Sequence, residues 1–163
     1  MGQMFHESAG KVLYIDGDTL VLGDLNPLLD LTATTDGGKP IPLWACPDPG
    51  GGGHLSSPGL HAGPYFNAGV MVIDLHDWRE NKRQDKLFSI ARNNTGQLPW
   101  WSQDPLNIVF QHNWSAIPGE FNMIRPSTAH AGHKIVHFAG SQKPWDFLTK
   151  NPYKLVYARY RRA

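Results

Sequence analysis

Short apolar runs separated by amphipathic stretches constrain the fold of this chain more than any other feature. Residues 11–15 (KVLYI), 69–75 (GVMVIDL) and 134–139 (KIVHFA) are rich in β-branched residues, so each predicts a buried strand. Between the last two, residues 78–93 carry apolar side chains at helical spacing, with Asp77 as the predicted cap. Strands that alternate with helices are typical of an α/β domain with a mostly parallel sheet.

Weaker patterns complete the predicted architecture. They indicate a strand at 19–22, a helix from Asn26 to about Leu31, an edge strand at 41–45, a helix at 103–111 and an extended piece at 114–118. The basic residues of the long helix, Arg83 among them, are predicted to face mostly solvent. Residues 47–63 are rich in Gly, Pro and Ser, which predicts a flexible loop.

Composition and charge exclude several classes of protein. A chain of 163 residues suits a single domain, and a net charge of +1 without a basic face argues against a nucleic-acid partner. Cys46 is the single cysteine, so no internal disulfide or multi-cysteine zinc site is possible. The first ten residues lack a signal-peptide pattern, and no apolar run reaches the ~20 residues of a membrane helix. A cytoplasmic location is therefore expected.

Two carboxylates flank a glycine directly after the first strand. Asp16 and Asp18 stand on either side of Gly17, and ligands of open α/β sheets gather beyond the carboxyl ends of strands. Glycine lets the backbone bend, so both carboxylates can turn toward one divalent cation such as Mn²⁺ or Mg²⁺. Asp-Gly is also a strong turn dipeptide, and a plain hairpin turn stays open as the alternative.

A histidine at the end of another strand strengthens the metal hypothesis. Strand alternation places His137 on the same face as Ile135. In the loop that follows, Gly140 permits close approach of the backbone to an anion, and Lys143 offers a point charge to a phosphate. A lone strand histidine is more often hydrogen-bonded in a core than a ligand, so that interpretation also stays open.

Two further segments place polar side chains beside predicted strands and helices. Asn67 precedes the second strand and carries an amide able to hold sugar hydroxyls. Gln103 and Asp104 open a helix, where they can cap it or face a cleft. Taken singly, capping is the more frequent role.

The order of these segments resembles glycosyltransferase family 8. The resemblance rests on KVLYIDGDTLVLGDLNPLLDL, YFNAGVMVIDLHDWRE, SQDPLNIVF and KIVHFAGSQKPW, which span roughly residues 11–147. It implies a GT-A type, Rossmann-like fold for nucleotide-diphospho-sugar transfer, with residues 1–163 forming one catalytic-type domain that corresponds to the C-terminal part of the family fold.

The resemblance also implies a reaction and a set of site residues. A hexose would move from a UDP-sugar to an acceptor hydroxyl, on a carbohydrate or a protein- or lipid-linked acceptor, with retention of configuration. The implied residues are Asp16, Asp18 and His137 for Mn²⁺ or Mg²⁺, Asp16, Gly140 and Lys143 for the diphosphate, Asn67 and Gln103 for the donor sugar, and Asp104 beside that sugar. Gln103 and Asp104 are the predicted catalytic residues.

Two departures from the family pattern keep other functions open. Ser102 stands where family members commonly have an aspartate, and the half that binds the nucleotide base is not recognisable ahead of the first strand. Self-association or a complementing chain is therefore expected, because a sheet cut through its centre exposes a strand edge. The alternatives are a non-catalytic module that binds a sugar or nucleotide sugar, and a metal-dependent hydrolase.

Overall fold

The computed structural model describes residues 5–32, 34, 38–50, 57–100, 102–129 and 131–161. Its strands are β1 (Lys11–Ile15), β2 (Thr19–Val21), β3 (Leu43–Pro47), β4 (Phe66–Asp74), β5 (Ser115–Ala116), β6 (Met123–Ile124) and β7 (Ile135–His137). Its helices are α1 (Asn26–Leu29), α2 (Leu75–Glu80), α3 (Arg83–Asn93), α4 (Gln103–Val109) and α5 (Lys154–Tyr160), with a 3₁₀ turn at Gly119–Phe121. The predicted α/β class is confirmed.

The strands form two mixed sheets. The larger has the order β1-β4-β3-β5 and the smaller β2-β7-β6. β4 is antiparallel to both neighbours and β2 is antiparallel to β7, whereas β3–β5 and β6–β7 are short parallel pairs. The predictions of a mostly parallel sheet and of an edge strand near residues 41–45 are therefore wrong. Pro42 precedes β3, so its missing N–H removes no bond from the ladder.

β4 is the centre of the core, and its composition explains why. From Phe66 to Ile73 every residue is buried. Val70 and Val72 pack on one face in a cluster with Leu28, whereas Met71 and Ile73 pack on the other in a cluster with Trp78. A strand that is covered on both faces needs an unbroken apolar run, which is what residues 70–73 supply.

The predicted helix at 78–93 is two helices. Asp74, rather than Asp77, caps α2, since its Oδ1 accepts from the backbone N–H groups of His76 and Asp77. Lys82 then adopts a left-handed conformation with φ 48°, which separates α2 from α3.

Arg83 is buried at 8% exposure, contrary to its predicted solvent position. Its guanidinium donates to both carboxylate oxygens of Asp77, at 2.8 and 3.0 Å, and lies over the ring of Phe110. This fork-to-carboxylate pairing satisfies the charge inside the core.

A bulge in β4 prepares the functional site. Consecutive residues Ala45 and Cys46 of β3 stand opposite Met71 and Asn67 of β4, so residues 68–70 lie between the two pairs without partners in β3. The backbone N–H groups of Ala68 and Gly69 donate instead to side chains, Gln103 Oε1 and Asn67 Oδ1. Bulges re-aim side chains in this way beside functional sites.

The remaining predictions concern the loop, the edge and the membrane. Residues 51–56 of the predicted flexible loop lie outside the described residues, but Ser57 is buried and donates to Asp104 Oδ2 at 3.0 Å. Within the described sheet β1 is an edge strand, and self-association stays a prediction. Among the described residues, no helix has the length and apolar character needed to span a bilayer.

Candidate functional site

The two sheets bring Asp16, Asp18 and His137 together. Asp16 follows β1 directly, and the antiparallel register of β2 on β7 places Thr19 opposite His137. His137 Nε2 lies 3.6 Å from Asp16 Oδ2 and 3.3 Å from Asp18 Oδ1. One ligand atom from each of the three residues lies within 4.8 Å of the others, which is the spacing of a site that could hold a metal ion.

Gly69 makes the room that the imidazole of His137 occupies. A Cβ atom at position 69 would lie 2.1 Å from His137 Cε1 and 2.4 Å from His137 Nδ1. The glycine is therefore required by a close approach of ring and backbone, not by its backbone angles. By contrast, an added Cβ at Gly17, between the two aspartates, would meet no atom within 4 Å.

Lys143 neutralises one side of the acidic pair. Its Nζ donates to Asp18 Oδ2 and to the carbonyl oxygen of Phe138, both at 2.6 Å. Burial favours a raised pKa for the Asp18 carboxyl, but the hydrogen bond from Lys143, the positive charge that His137 carries when protonated and the charge of Lys143 together outweigh it, so the pKa lies below its usual value. Asp18 is therefore ionised at neutral pH.

The imidazole of His137 is neutral at the same pH. Burial lowers the pKa of His137, and the carboxylates of Asp18 and Asp16 only partly oppose that shift. A neutral imidazole has a free lone pair and is thus in the form that binds metal ions. Two carboxylate oxygens and one imidazole nitrogen fit a divalent cation such as Mn²⁺ or Mg²⁺.

Tyr14 and a line of amides hold Asp16 and His137 in place. The Tyr14 hydroxyl donates to Asp16 Oδ1 at 2.7 Å, and this hydrogen bond, with burial, raises the pKa of Tyr14 to about 12. His137 Nδ1 lies 3.1 Å from Asn122 Oδ1. Asn122 Nδ2 donates to Asn67 Oδ1 at 2.8 Å, and Asn67 Nδ2 donates to Gln103 Oε1 at 3.0 Å. Gln103 Nε2 ends the line on Asp48 Oδ2 at 3.2 Å.

Asp104 and Ser102 differ sharply in exposure although they are neighbours. The carboxylate of Asp104 is fully buried and accepts hydrogen bonds from the Ser57 and Tyr65 hydroxyls and from the backbone N–H of Trp100. Asp104 is not among the described residues that line the cleft, whereas Ser102 is exposed and lines it. The geometry shows Asp104 holding two loops against α4.

A cleft of about 610 Å³ is lined at one end by Asp16, Asp18 and His137. Its polar end includes Asp16, Asp18, Asn67, Gln103 and His137, and Gly140 lies at its rim with φ +88°, a left-handed conformation that favours glycine. Its far wall is apolar and includes Met71, Ile73, Trp78, Leu87 and Phe88. The volume is that of a small-molecule site with polar groups at one end.

Tyr14, Asp48 and Asn122 were not predicted from the sequence. Tyr14 carried a usable signal, because residues two apart on a strand share a face and Tyr14 is two before Asp16. Asn122 and Asp48 carried none, since each reaches the site through tertiary packing from a loop or strand end.

Comparisons with known proteins identify the family of this chain. The glycosyl transferase family 8 profile matches residues 1–149. General stress protein A of Bacillus subtilis (strain 168) is 32% identical, over 94% of this chain and 59% of that protein. Lipopolysaccharide 1,2-glucosyltransferase of Escherichia coli (strain K12) is 27% identical, over 88% of this chain and 46% of that protein. The chain thus spans about half the length of these curated relatives.

Solved structures superpose on nearly the whole of this chain. Galactosyltransferase LgtC, crystallised with donor and acceptor sugar analogues, superposes with a TM-score of 0.75 at 24% identity, over 97% of this chain and 62% of that one. Glycosyltransferase GlyE of Streptococcus pneumoniae gives a TM-score of 0.76 at 23% identity, over 98% of this chain and 40% of that one. These matches confirm the predicted GT-A type fold, and with the family profile they show that the chain belongs to glycosyl transferase family 8.

Proposed function

We propose that this chain is the metal-binding part of a retaining hexosyltransferase that moves a sugar from a UDP-sugar to an acceptor hydroxyl. The observation that carries the proposal is the convergence of Asp16, Asp18 and His137 beside Lys143, at the polar end of a cleft, in a member of glycosyl transferase family 8. Lipopolysaccharide 1,2-glucosyltransferases among the relatives support a carbohydrate or lipid-linked acceptor.

Each group at the polar end has a part in this proposal. Asp16, Asp18 and His137 would hold Mn²⁺ or Mg²⁺, and such a cation neutralises charge on a departing diphosphate. Lys143 Nζ, which already lies beside Asp18, adds a second positive charge on the same side. Gly140 is exposed, and a Cβ atom added there would meet no atom within 4 Å, so a phosphate can approach its backbone closely.

The donor sugar is proposed to lie against Asn67 and Gln103. Both amides line the cleft, and Ala68 N–H and Asp48 hold Gln103 at both ends of its amide. Asp104 remains a predicted neighbour of the sugar, and we assign it to positioning, because its carboxylate is occupied by three hydrogen bonds. Hydrogen-bonded amides recognise hydroxyls with fixed geometry.

Retention is proposed to proceed on the front face of the donor. Among the described residues that line the cleft, Asp16 and Asp18 supply the only carboxylates, and both belong to the proposed cation site. A covalent carboxylate intermediate would need another acid there. The departing diphosphate oxygen would instead accept the proton of the acceptor hydroxyl.

A nucleotide-sugar-binding module without turnover is the second candidate, and Ser102 favours it. Ser102 lines the cleft, yet a serine cannot supply the negative charge that stabilises an oxocarbenium-like centre. The two candidates share the cation site and differ in whether the glycosidic bond of the donor breaks.

The test measures Mn²⁺ and donor binding by calorimetry and the UDP released from a panel of UDP-hexoses, with and without glycan acceptors. The transferase proposal expects Mn²⁺-dependent release that Asp18→Asn reduces at least about 10–100-fold. Asp30→Asn is the matched control, because Asp30 is an exposed acid at the end of α1 that does not line the cleft.

Binding without release supports the module, and Ser102→Asp then asks whether the missing charge restores turnover. Absence of any Mn²⁺ or donor binding in the unaltered chain contradicts both candidates.

A further inference from the structure

We propose that Asn122 is a positioning residue that sets the tautomer of His137, keeping the proton on Nδ1 and directing the Nε2 lone pair at Asp16 and Asp18. The inference deepens the proposed cation site and rests on it for its functional meaning. Its physical basis is the line of four amide and carboxylate groups behind His137, in which each hydrogen-bond direction is determined by the one before.

Two backbone N–H groups, those of Ala68 and Gly69, determine which end of the Gln103 and Asn67 amides is the oxygen. A backbone N–H can only donate, so the atom it contacts is an acceptor. Ala68 N–H therefore identifies the contacted atom of Gln103 as Oε1, and Gly69 N–H identifies that of Asn67 as Oδ1, each at 3.0 Å. The Gln103 amide nitrogen consequently faces Asp48 Oδ2, an acceptor, which agrees with the same orientation.

The remaining orientations follow in order. Asn67 Oδ1 accepts, so the atom of Asn122 that lies 2.8 Å from it is the donor Nδ2. The other end of the Asn122 amide, Oδ1, is then the atom 3.1 Å from His137 Nδ1. An amide oxygen has no hydrogen to give, so His137 Nδ1 must carry the proton.

Burial makes this assignment exclusive. Asn122, Asn67 and His137 are 3%, 6% and 4% exposed, so solvent has little access to exchange these hydrogen bonds. Reversing the His137 tautomer would leave two acceptors facing each other in a buried site, which is costly. The bulge in β4 is thus the origin of the tautomer, because it frees the Ala68 and Gly69 N–H groups that set the direction.

The proton on Nδ1 has a consequence at Nε2, the nitrogen that faces Asp16 and Asp18: the arrangement there favours a bound cation. In the neutral imidazole, with its single proton on Nδ1, the Nε2 lone pair lies 3.3 Å from an Asp18 oxygen and 3.6 Å from an Asp16 oxygen, and Nε2 has no hydrogen to donate to either. A positive ion between them relieves that repulsion. Without Asn122, the imidazole could place its proton on Nε2 and donate to Asp18, which satisfies the site with no ion.

Two substitutions at one position test the proposal. Asn122→Asp keeps an oxygen acceptor for His137 Nδ1, whereas Asn122→Leu removes it, and both lose the donor to Asn67. ¹⁵N NMR of the imidazole in metal-free protein, in weakly alkaline buffer, reports the tautomer directly, and calorimetry reports Mn²⁺ affinity. We expect Nδ1–H in the unaltered protein and in Asn122→Asp, and a substantial Nε2–H population with about 10–100-fold weaker Mn²⁺ binding in Asn122→Leu.

Leu28→Ala is the stability control, because Leu28 is buried in an apolar cluster and its side chain cannot take part in the amide hydrogen bonds. It should lower the melting temperature and leave the tautomer at Nδ1–H. An Nε2–H tautomer in the unaltered protein, or an unchanged tautomer in Asn122→Leu, overturns the proposal. Nδ1–H that shifts as expected in a chain that binds no Mn²⁺ supports the role of Asn122 and contradicts the proposed transferase site instead.

Discussion

Replacing Gly69 with alanine should disrupt the proposed cation site by displacing the imidazole of His137. The added Cβ would lie 2.1 Å from His137 Cε1, 2.4 Å from His137 Nδ1 and 2.9 Å from Asn67 Oδ1. Carbon atoms pack at about 3.5–4.0 Å, so the imidazole must move by about 1.4 Å or more to restore an ordinary contact. The ring is 4% exposed, so a displacement of this size moves it out of its contacts with Asn122, Asp16 and Asp18.

The magnitude follows from the tolerance of metal coordination. Functional ligand distances hold to about ±0.2 Å, so a shift several times larger removes His137 from the ligand set. Loss of a residue that supports a metal ligand weakens metal binding by about 10–100-fold. Gly69→Ala displaces a proposed ligand itself, so it should weaken Mn²⁺ binding by at least this factor. Overpacking of this buried position should cost about 1–3 kcal/mol of folding stability.

The assay compares Gly69→Ala with Gly17→Ala, using calorimetry for Mn²⁺ affinity and thermal unfolding for stability. Gly17 lies between the two aspartates, but an alanine there meets no atom within 4 Å, and its φ lies outside the left-handed region. Gly17→Ala should thus keep Mn²⁺ affinity near that of the unaltered chain. The reasoning is refuted if folded Gly69→Ala binds Mn²⁺ as tightly as Gly17→Ala does.

Two further substitutions and one labelling experiment have defined outcomes. Lys143→Met should strengthen Mn²⁺ binding in the absence of donor, since a cation 2.6 Å from Asp18 Oδ2 repels another, and should weaken UDP-sugar binding, both measurable by calorimetry. Tyr65→Phe should cost about 1.5–3 kcal/mol at neutral pH, measured by urea unfolding, because the Tyr65 hydroxyl donates to the buried carboxylate of Asp104 at 2.6 Å. Burial and Asp104 raise the pKa of Tyr65, so its stabilisation is complete below the unfolded pKa of about 10 and declines as pH rises past it; Tyr65→Phe should flatten that alkaline decline. Burial also raises the pKa of the Cys46 thiol to about 12, so a thiol reagent should label Cys46 only after unfolding, and rapid labelling of folded protein would contradict its burial.

The parts of the site that the sequence predicted are those with a local signal. Asp16 and Asp18 follow a strand that is recognisable from its apolar residues, and His137 ends another. The alternation rule placed Ile135 opposite Val136 and Phe138, and the structure puts them in separate core clusters accordingly. Strand identity and strand end were therefore enough to select the three side chains that the structure brings together.

The parts that were not predicted depend on contacts between distant segments. Arg83 looked like a solvent-facing helix residue, but Asp77 and the ring of Phe110 stabilise it inside. The prediction of one helix at 78–93 missed the end of α2 at Asn81 and the left-handed Lys82, because a lysine seldom adopts a positive φ. The sequence also did not predict whether neighbouring strands pair parallel or antiparallel, because a short apolar run is compatible with either arrangement.

Gly69 combines a local sequence signal with a contact between distant segments of the chain. A glycine inside an apolar strand signals a bulge or a close backbone approach, and here both occur at once. The close approach seats the imidazole, and the bulge frees the N–H groups that orient the amides behind it. The residue types along the chain thus indicate which side chains can bind a cation. The nitrogen of His137 that presents its lone pair, however, depends on the bulge at Gly69, 68 positions earlier in the chain. A change that straightened the bulge without touching Asp16, Asp18 or His137 would accordingly be expected to weaken the cation site.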